Sequence, residues 1–189
     1  MLISLASAKG APGTTTSAHV LAAVWPAPVI LADADPFGSD LLYRLRGSTG
    51  LPLDAERGLL SLAAQVRRSP DADLAEHTTT VDGGLDVLLG MPRPEQAAAI
   101  ASNWGAIATR LRTDRDVLCD VGRLAPGVAS LSIALASDLL LFITRPRTSF
   151  GRKTSRRYVQ FERRSLHVIK NCVTKSVSTP RRRAATRTL

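Results

Sequence analysis

Apolar residues in this chain gather in short runs instead of alternating with polar ones. Leu2 to Leu5, Val29 to Ala32, Leu85 to Leu89, Asp116 to Cys119 and Leu139 to Thr144 are the main examples. Continuous runs suit strands covered by helices on both faces, whereas alternation would suit a sheet with one wet face. The intervening stretches have helical spacing. Ser17 to Val24 follows the first run. Leu59-Leu60-x-Leu62-Ala63-x-x-Val66 is closed by Arg67-Arg68-Ser69-Pro70, with basic residues in its last turn and proline just beyond. A third helix is predicted from Pro94, which suits a first turn, through alanine-rich sequence to Leu111, and a fourth over Ser130 to Ser137. The order reads β-α-β-α-β-α-β-α-β, which predicts an α/β domain with a mostly parallel sheet and helices on both faces.

The junctions carry the chemistry. Between the first strand and the first helix lies Lys9-Gly10-Ala11-Pro12-Gly13-Thr14-Thr15-Thr16. A small-residue loop there can turn backbone N–H groups toward a phosphate at the positive end of a helix. The ordinary phosphate-loop pattern needs a lysine just before the Ser/Thr, where this chain has Thr14, and a first glycine where it has Ala8. The deviant form fits better: a lysine opens it, and Lys9, Gly10, Gly13 and Thr15 stand in register. The second strand runs into Asp33-Ala34-Asp35-Pro36-Phe37-Gly38, and the run Asp116 to Cys119 ends in Asp120. Acids at the carboxyl edge of a parallel sheet lie where such folds bind ligands. A plainer reading stays open for each residue. The glycine and threonine cluster also makes a tight turn and helix cap, Asp33 and Asp35 also start a turn before Pro36, and Asp120 also serves as a turn acid before Val121-Gly122.

Through Lys9-Gly10-x-x-Gly13-x-Thr15-Thr16, Asp33-Ala34-Asp35-Pro36 and the strand ending at Asp120, the chain resembles the ParA/MinD group of deviant P-loop ATPases over roughly residues 1–146. The resemblance implies a P-loop NTPase-like three-layer domain that binds ATP with Mg²⁺ and works in chromosome or plasmid partitioning or in cellular positioning. It implies a phosphate cradle over residues 9–16, with Thr15 and Asp120 serving the metal and Asp33 or Asp35 orienting the attacking water. It also implies Lys9 reaching the phosphates of a partner subunit in a nucleotide-dependent homodimer. Thr14 in place of the loop lysine removes one charged hydrogen bond, which should weaken nucleotide binding roughly ten- to a hundredfold. A fold that keeps binding but has lost turnover, acting as a scaffold, is the alternative from a different functional class.

Charge divides the chain in two. Residues 1–145 hold 12 Lys/Arg against 15 Asp/Glu, and residues 146–189 hold 13 against Glu162 alone, so a formal net charge of +9 resolves into −3 and +12. The α/β rhythm also stops after Thr144, leaving the expected domain incomplete at its C-terminal end and the adenine site unassigned. Only Leu166 to Ile169 and Val173 hint at a further strand. Residues 147–189 therefore read as a basic, disordered tail with three explanations. It neutralises nucleic-acid phosphates, it meets an anionic membrane surface, or it is a reading-frame accident; the abrupt change favours the last. Tyr158 and Phe161 are too few for a stacking platform.

The remaining composition mainly excludes. The most apolar stretch, Leu124 to Thr144, is broken by Pro126 and carries Asp138, so no membrane span is predicted. No basic residue precedes the first apolar run, unlike a signal peptide. Cys119 and Cys172 lack metal or redox spacing, and His19, His77 and His167 are scattered. A cytoplasmic, reduced protein is the plain expectation.

Overall fold

The computed structural model describes residues 1–8, 13–69 and 71–144, together with the backbone of 166–170. Among the described residues seven strands form one sheet: β1 (Leu2–Ser7), β2 (Val29–Asp33), β3 (Thr79–Thr80), β4 (Asp86–Leu88), β5 (Asp116–Arg123), β6 (Leu139–Thr144) and β7 (Leu166–Lys170). Their spatial order is β3-β4-β2-β5-β1-β6-β7. Every pair is parallel except β3–β4. The helices are α1 (Thr14–Ala23), α2 (Leu41–Arg44), α3 (Leu59–Val66), α4 (Pro94–Ala99), α5 (Trp104–Arg110) and α6 (Leu131–Ala136).

Successive strand residues point to opposite faces, and the runs are apolar on both because both are covered. Leu2, Ala6, Ile30, Ala32, Val117, Cys119, Leu140 and Phe142 pack with α3, α5 and α6. Ile3, Leu5, Leu31, Leu118, Leu141 and Ile143 pack on the other face, with Ala18 and Ala22 of α1 and Leu41 of α2. These are the three layers expected from the runs. Burying a side chain such as Leu62 or Ile107 contributes roughly 1.5–3 kcal/mol, and both are fully buried.

The differences from expectation have local causes. Helix α1 begins at Thr14 instead of Ser17, because Gly13 at φ +102 turns the chain into it and Ser17 N–H already bonds Gly13 O at 2.7 Å. The helix expected from Pro94 to Leu111 is interrupted by a 3₁₀ turn, Ala101–Asn103. There the Asn103 side chain donates to Ala63 O of α3 at 2.6 Å, a tertiary bond that local helical spacing cannot reveal. Strand β5 does not stop at Asp120 but runs on to Arg123, paired to Ser7 through an irregularity between Leu5 and Ser7. The hinted strand at Leu166 forms β7, parallel to β6, so the sheet continues beyond Thr144 and part of the expected disordered tail is a strand. Val173 and the rest of 171–189 lie outside the described residues.

Candidate nucleotide site

The central strands bring together acids that are far apart in sequence. In the β2–β5 ladder Asp33 stands directly beside Asp120, and Ala34 N–H donates to Asp120 O at 2.8 Å, holding the two strand ends together. Both side chains are buried, at 2 % and 1 % exposure. By register with Leu31 and Leu118 they lie on the α1 face of the sheet. The Asp33 carboxylate accepts from the Ser39 hydroxyl and from Asp35 N–H at 3.2 Å. Asp35 in turn caps Phe37 N–H at 2.9 Å, so the segment after β2 folds into a tight turn carrying its second acid.

Two glycines leave room for these carboxylates. A Cβ at Gly90 would fall 2.7 Å from Asp33 Cγ, and one at Gly122 would fall 2.2 Å from Asp35 Cγ. Gly122 also adopts φ +66, which other L-residues resist. It sits within the irregular part of β5, a kind of feature frequent beside active sites because it re-aims side chains.

The electrostatics follow mainly from burial. Burial pushes Asp33 up to about 7, and the neighbouring Asp120 charge adds to the rise. Burial raises Asp120 to about 6, opposed by the Thr15 hydroxyl and by Gly122 N–H, which donates at 2.9 Å. Burial also raises Asp35, opposed by Phe37 N–H and by Arg123. Asp120 Oδ2 is buried without a hydrogen bond of full geometry, an expensive condition for a carboxylate unless something binds there.

These groups border a cavity of about 270 Å³ lined by Thr15, Asp33, Asp35, Phe37, Gly38, Ser39, Asp40 and Pro92. Of the residues singled out from sequence, Thr15, Asp33 and Asp35 line it and Asp120 lies against Thr15. Gly13 precedes α1, Thr14 is buried at 6 % exposure, and Thr16 faces outward. Lys9, Gly10, Ala11 and Pro12 lie outside the described residues. Sequence reasoning missed Ser39, Gly90, Gly122 and Phe37, whose roles come from contacts across the fold. The small polar pair Gly38-Ser39 after the acids was the available signal for the first of these.

Among the described residues no group of three or more His, Cys, Asp or Glu could hold a metal ion unaided. Mg²⁺ suits such a place, since it usually takes one or two carboxylates and completes its shell with substrate phosphates and water. The Thr15 hydroxyl, the orphaned Asp120 oxygen and a helix N-terminus facing the same cavity form a donor set that fits Mg²⁺ with a phosphate group.

Sheet order, layers and the place of these acids define a P-loop NTPase-type α/β fold. The fold is similar to that of the ParA and MinD ATPases. No family model and no curated protein matches the chain, but solved structures do. A plasmid partition protein from Borrelia burgdorferi B31 bound to AMPPNP aligns with a TM-score of 0.65 at 18 % identity, over 93 % of this chain and 75 % of that one. The septum site-determining protein MinD from Pyrococcus horikoshii OT3, complexed with Mg-ADP, gives 0.63 at 18 %, over 88 % and 67 %. Cobyrinic acid a,c-diamide synthase from Mycobacterium smegmatis with bound ADP and magnesium gives 0.60 at 18 %, over 88 % and 71 %. A plasmid partition protein, a septum site-determining protein and a diamide synthase thus share one architecture, so function must be argued from the site. No helix among the described residues is long and apolar enough to cross a membrane.

Proposed function

We propose that this chain is a ParA/MinD-like nucleotide-binding protein that takes ATP with Mg²⁺ at the cavity between the start of α1 and the segment that follows β2 and works in partitioning or positioning a cargo. The observation that carries this reading is the registered pair Asp33 and Asp120, buried against Thr15 with one carboxylate oxygen unsatisfied. Thr15 and Asp120 would hold the metal. The loop before α1, with Lys9, Gly10 and Gly13, would cradle the phosphates. Asp33 and Asp35 would orient a water molecule; burial raises both carboxyls, and Asp33, pushed up to about 7, suits a group that takes up a proton near neutral pH. The metal, when bound, supplies positive charge against the phosphate oxygens.

Slow or absent turnover is part of the same reading. The position of the ordinary loop lysine is occupied by Thr14, which is buried in the first turn of α1 and cannot reach out to a phosphate as a lysine would. The chain would then work mainly as a nucleotide-gated binding protein, pairing with a second copy across the loop. The segment 147–189, with its arginine clusters, would meet nucleic-acid phosphates, and an anionic membrane is the lesser candidate.

Calorimetric titration with Mg-ATP tests the site. Wild-type binding that Thr15→Ala weakens at least tenfold, without a change in thermal midpoint, is the expected result. Binding insensitive to Thr15→Ala, or none at millimolar nucleotide, defeats the proposal.

A further inference from the structure

The cavity has an electrostatic deficit. Among the described residues its lining includes three carboxylic acids, Asp33, Asp35 and Asp40, and no cation, yet a triphosphate brings further negative charge. One metal ion does not balance that sum, and the buried Thr14 offers nothing cationic. Arg44 stands near Asp40 but is engaged with it at 3.4 Å.

Arg123 answers the deficit through a feature of β5. Leu5 pairs with Asp120, but Ser7, two residues on, pairs with Arg123, three residues on. Lateral neighbours in a sheet share a face, and one extra residue shifts the rest of the strand to the opposite face. In a regular strand Asp120 and Arg123 would lie on opposite faces. The extra residue, at Val121-Gly122, returns Arg123 to the face that holds Asp120 and α1. Leu124 is thereby returned to the other core, where it is buried. The exposed guanidinium of Arg123 then stands 5.1 Å from the centre of the Phe37 ring, and Phe37 lines the cavity. Arg123 acts on Asp35 by its charge, but none of the ion pairs among the described residues includes it. Phe37 is itself 52 % exposed, so its hold on the arginine is a stacking contact at the rim rather than burial in the core.

We propose that Arg123 is a phosphate-binding residue of this site, turned toward it by the extra residue in β5 and steadied on Phe37, and that it engages the terminal phosphate of a bound nucleoside triphosphate. The inference rests on the nucleotide reading above. An arginine suits the task because its planar fork matches phosphate oxygens.

The test is equilibrium titration of the full chain with Mg-ATP and with Mg-ADP, for wild type, Arg123→Ala, Arg123→Lys and Phe37→Leu. Arg123→Ala should weaken Mg-ATP roughly ten- to a hundredfold and Mg-ADP about threefold or less, collapsing the preference for the triphosphate. Arg123→Lys should recover part of that loss, and Phe37→Leu should reproduce a smaller share of it. Circular dichroism and the thermal midpoint should stay at wild-type values, since Arg123 is exposed. Equal weakening of both nucleotides, or none of either, overturns the assignment while leaving the nucleotide site standing. Absence of binding by the wild type overturns both.

Discussion

Aspartates stand at both edges of the sheet, and the two edges treat them in opposite ways. At the amino edge Asp86 meets Arg115 at 2.8 Å, and Asp138 accepts Leu2 N–H at 2.8 Å beside Arg112. Asp116 there is bonded by the Trp25 indole and by the N-terminal amine, each at 2.9 Å. All three hold their carboxyls below the ordinary aspartate value, mainly through hydrogen bonds that outweigh desolvation at Asp116 and Asp138, and through Thr80 and Arg115 at Asp86. At the carboxyl edge Asp33, Asp35 and Asp120 are raised, because burial outweighs the hydrogen bonds they accept and, at Asp35, the Arg123 charge. The first set closes strand ends and stabilises the fold. The second is held at a cost to stability, as expected of a site prepared for a ligand.

The largest expected effect is on pH dependence. An acid raised in the folded state binds more protons there than when unfolded, so its contribution is most favourable at low pH and is lost as pH rises through the folded value. From pH 5 to pH 8 urea unfolding should show a decline of about 2–4 kcal/mol from Asp33 and Asp120. The amino-edge acids, being lowered, contribute fully above the ordinary value near 3.8 and lose that contribution only below it. The double variant Asp33→Asn/Asp120→Asn should flatten the decline, and a decline that persists in it would remove the contrast between the edges.

Next in size is the ligand. Asp120→Asn should weaken Mg-ATP by roughly a hundredfold while leaving stability at pH 8 equal or higher, read by calorimetry and unfolding together. A variant that binds normally but unfolds early would make Asp120 a structural acid like those at the amino edge. Gly122→Ala should cost about 1–3 kcal/mol and weaken nucleotide as well, since the added Cβ meets the Asp35 carboxylate. The smallest effect belongs to Asp138→Asn, about 1 kcal/mol from the Leu2 bond and the partly exposed Arg112 pair, with nucleotide affinity unchanged. A loss of affinity there would show the edges to be coupled.

Much of the fold could be read from local sequence because its signal is local. The runs Val29–Ala32 and Leu139–Thr144 are apolar at successive positions only because both faces are covered, and they announced a parallel sheet directly. The acids Asp33, Asp35 and Asp120 were visible because each follows such a run. What stayed hidden depends on distant contacts. Ser39's role shows mainly in the Asp33 carboxylate it meets, and the break at Asn103 in its bond to α3. Neither the passage of β5 beyond Asp120 nor the extra residue that turns Arg123 can be seen without β1 alongside. The loop residues Lys9 to Pro12, the strongest motif in the sequence, lie outside the described residues.

The order of strands also sets a timetable for synthesis. β1 sits between β5 and β6, whose residues leave the ribosome more than a hundred positions later, and β2 likewise waits for β5. Until then the apolar runs at Leu2–Ser7 and Val29–Asp33 lack their central partners, and long-range parallel pairing is slow to form. Nascent chains stalled before Asp116 should remain open to proteases and bind chaperones, and those extending well past Thr144 should become resistant. The nucleotide site, built from residues on both sides of that wait, would be among the last features of the molecule to exist.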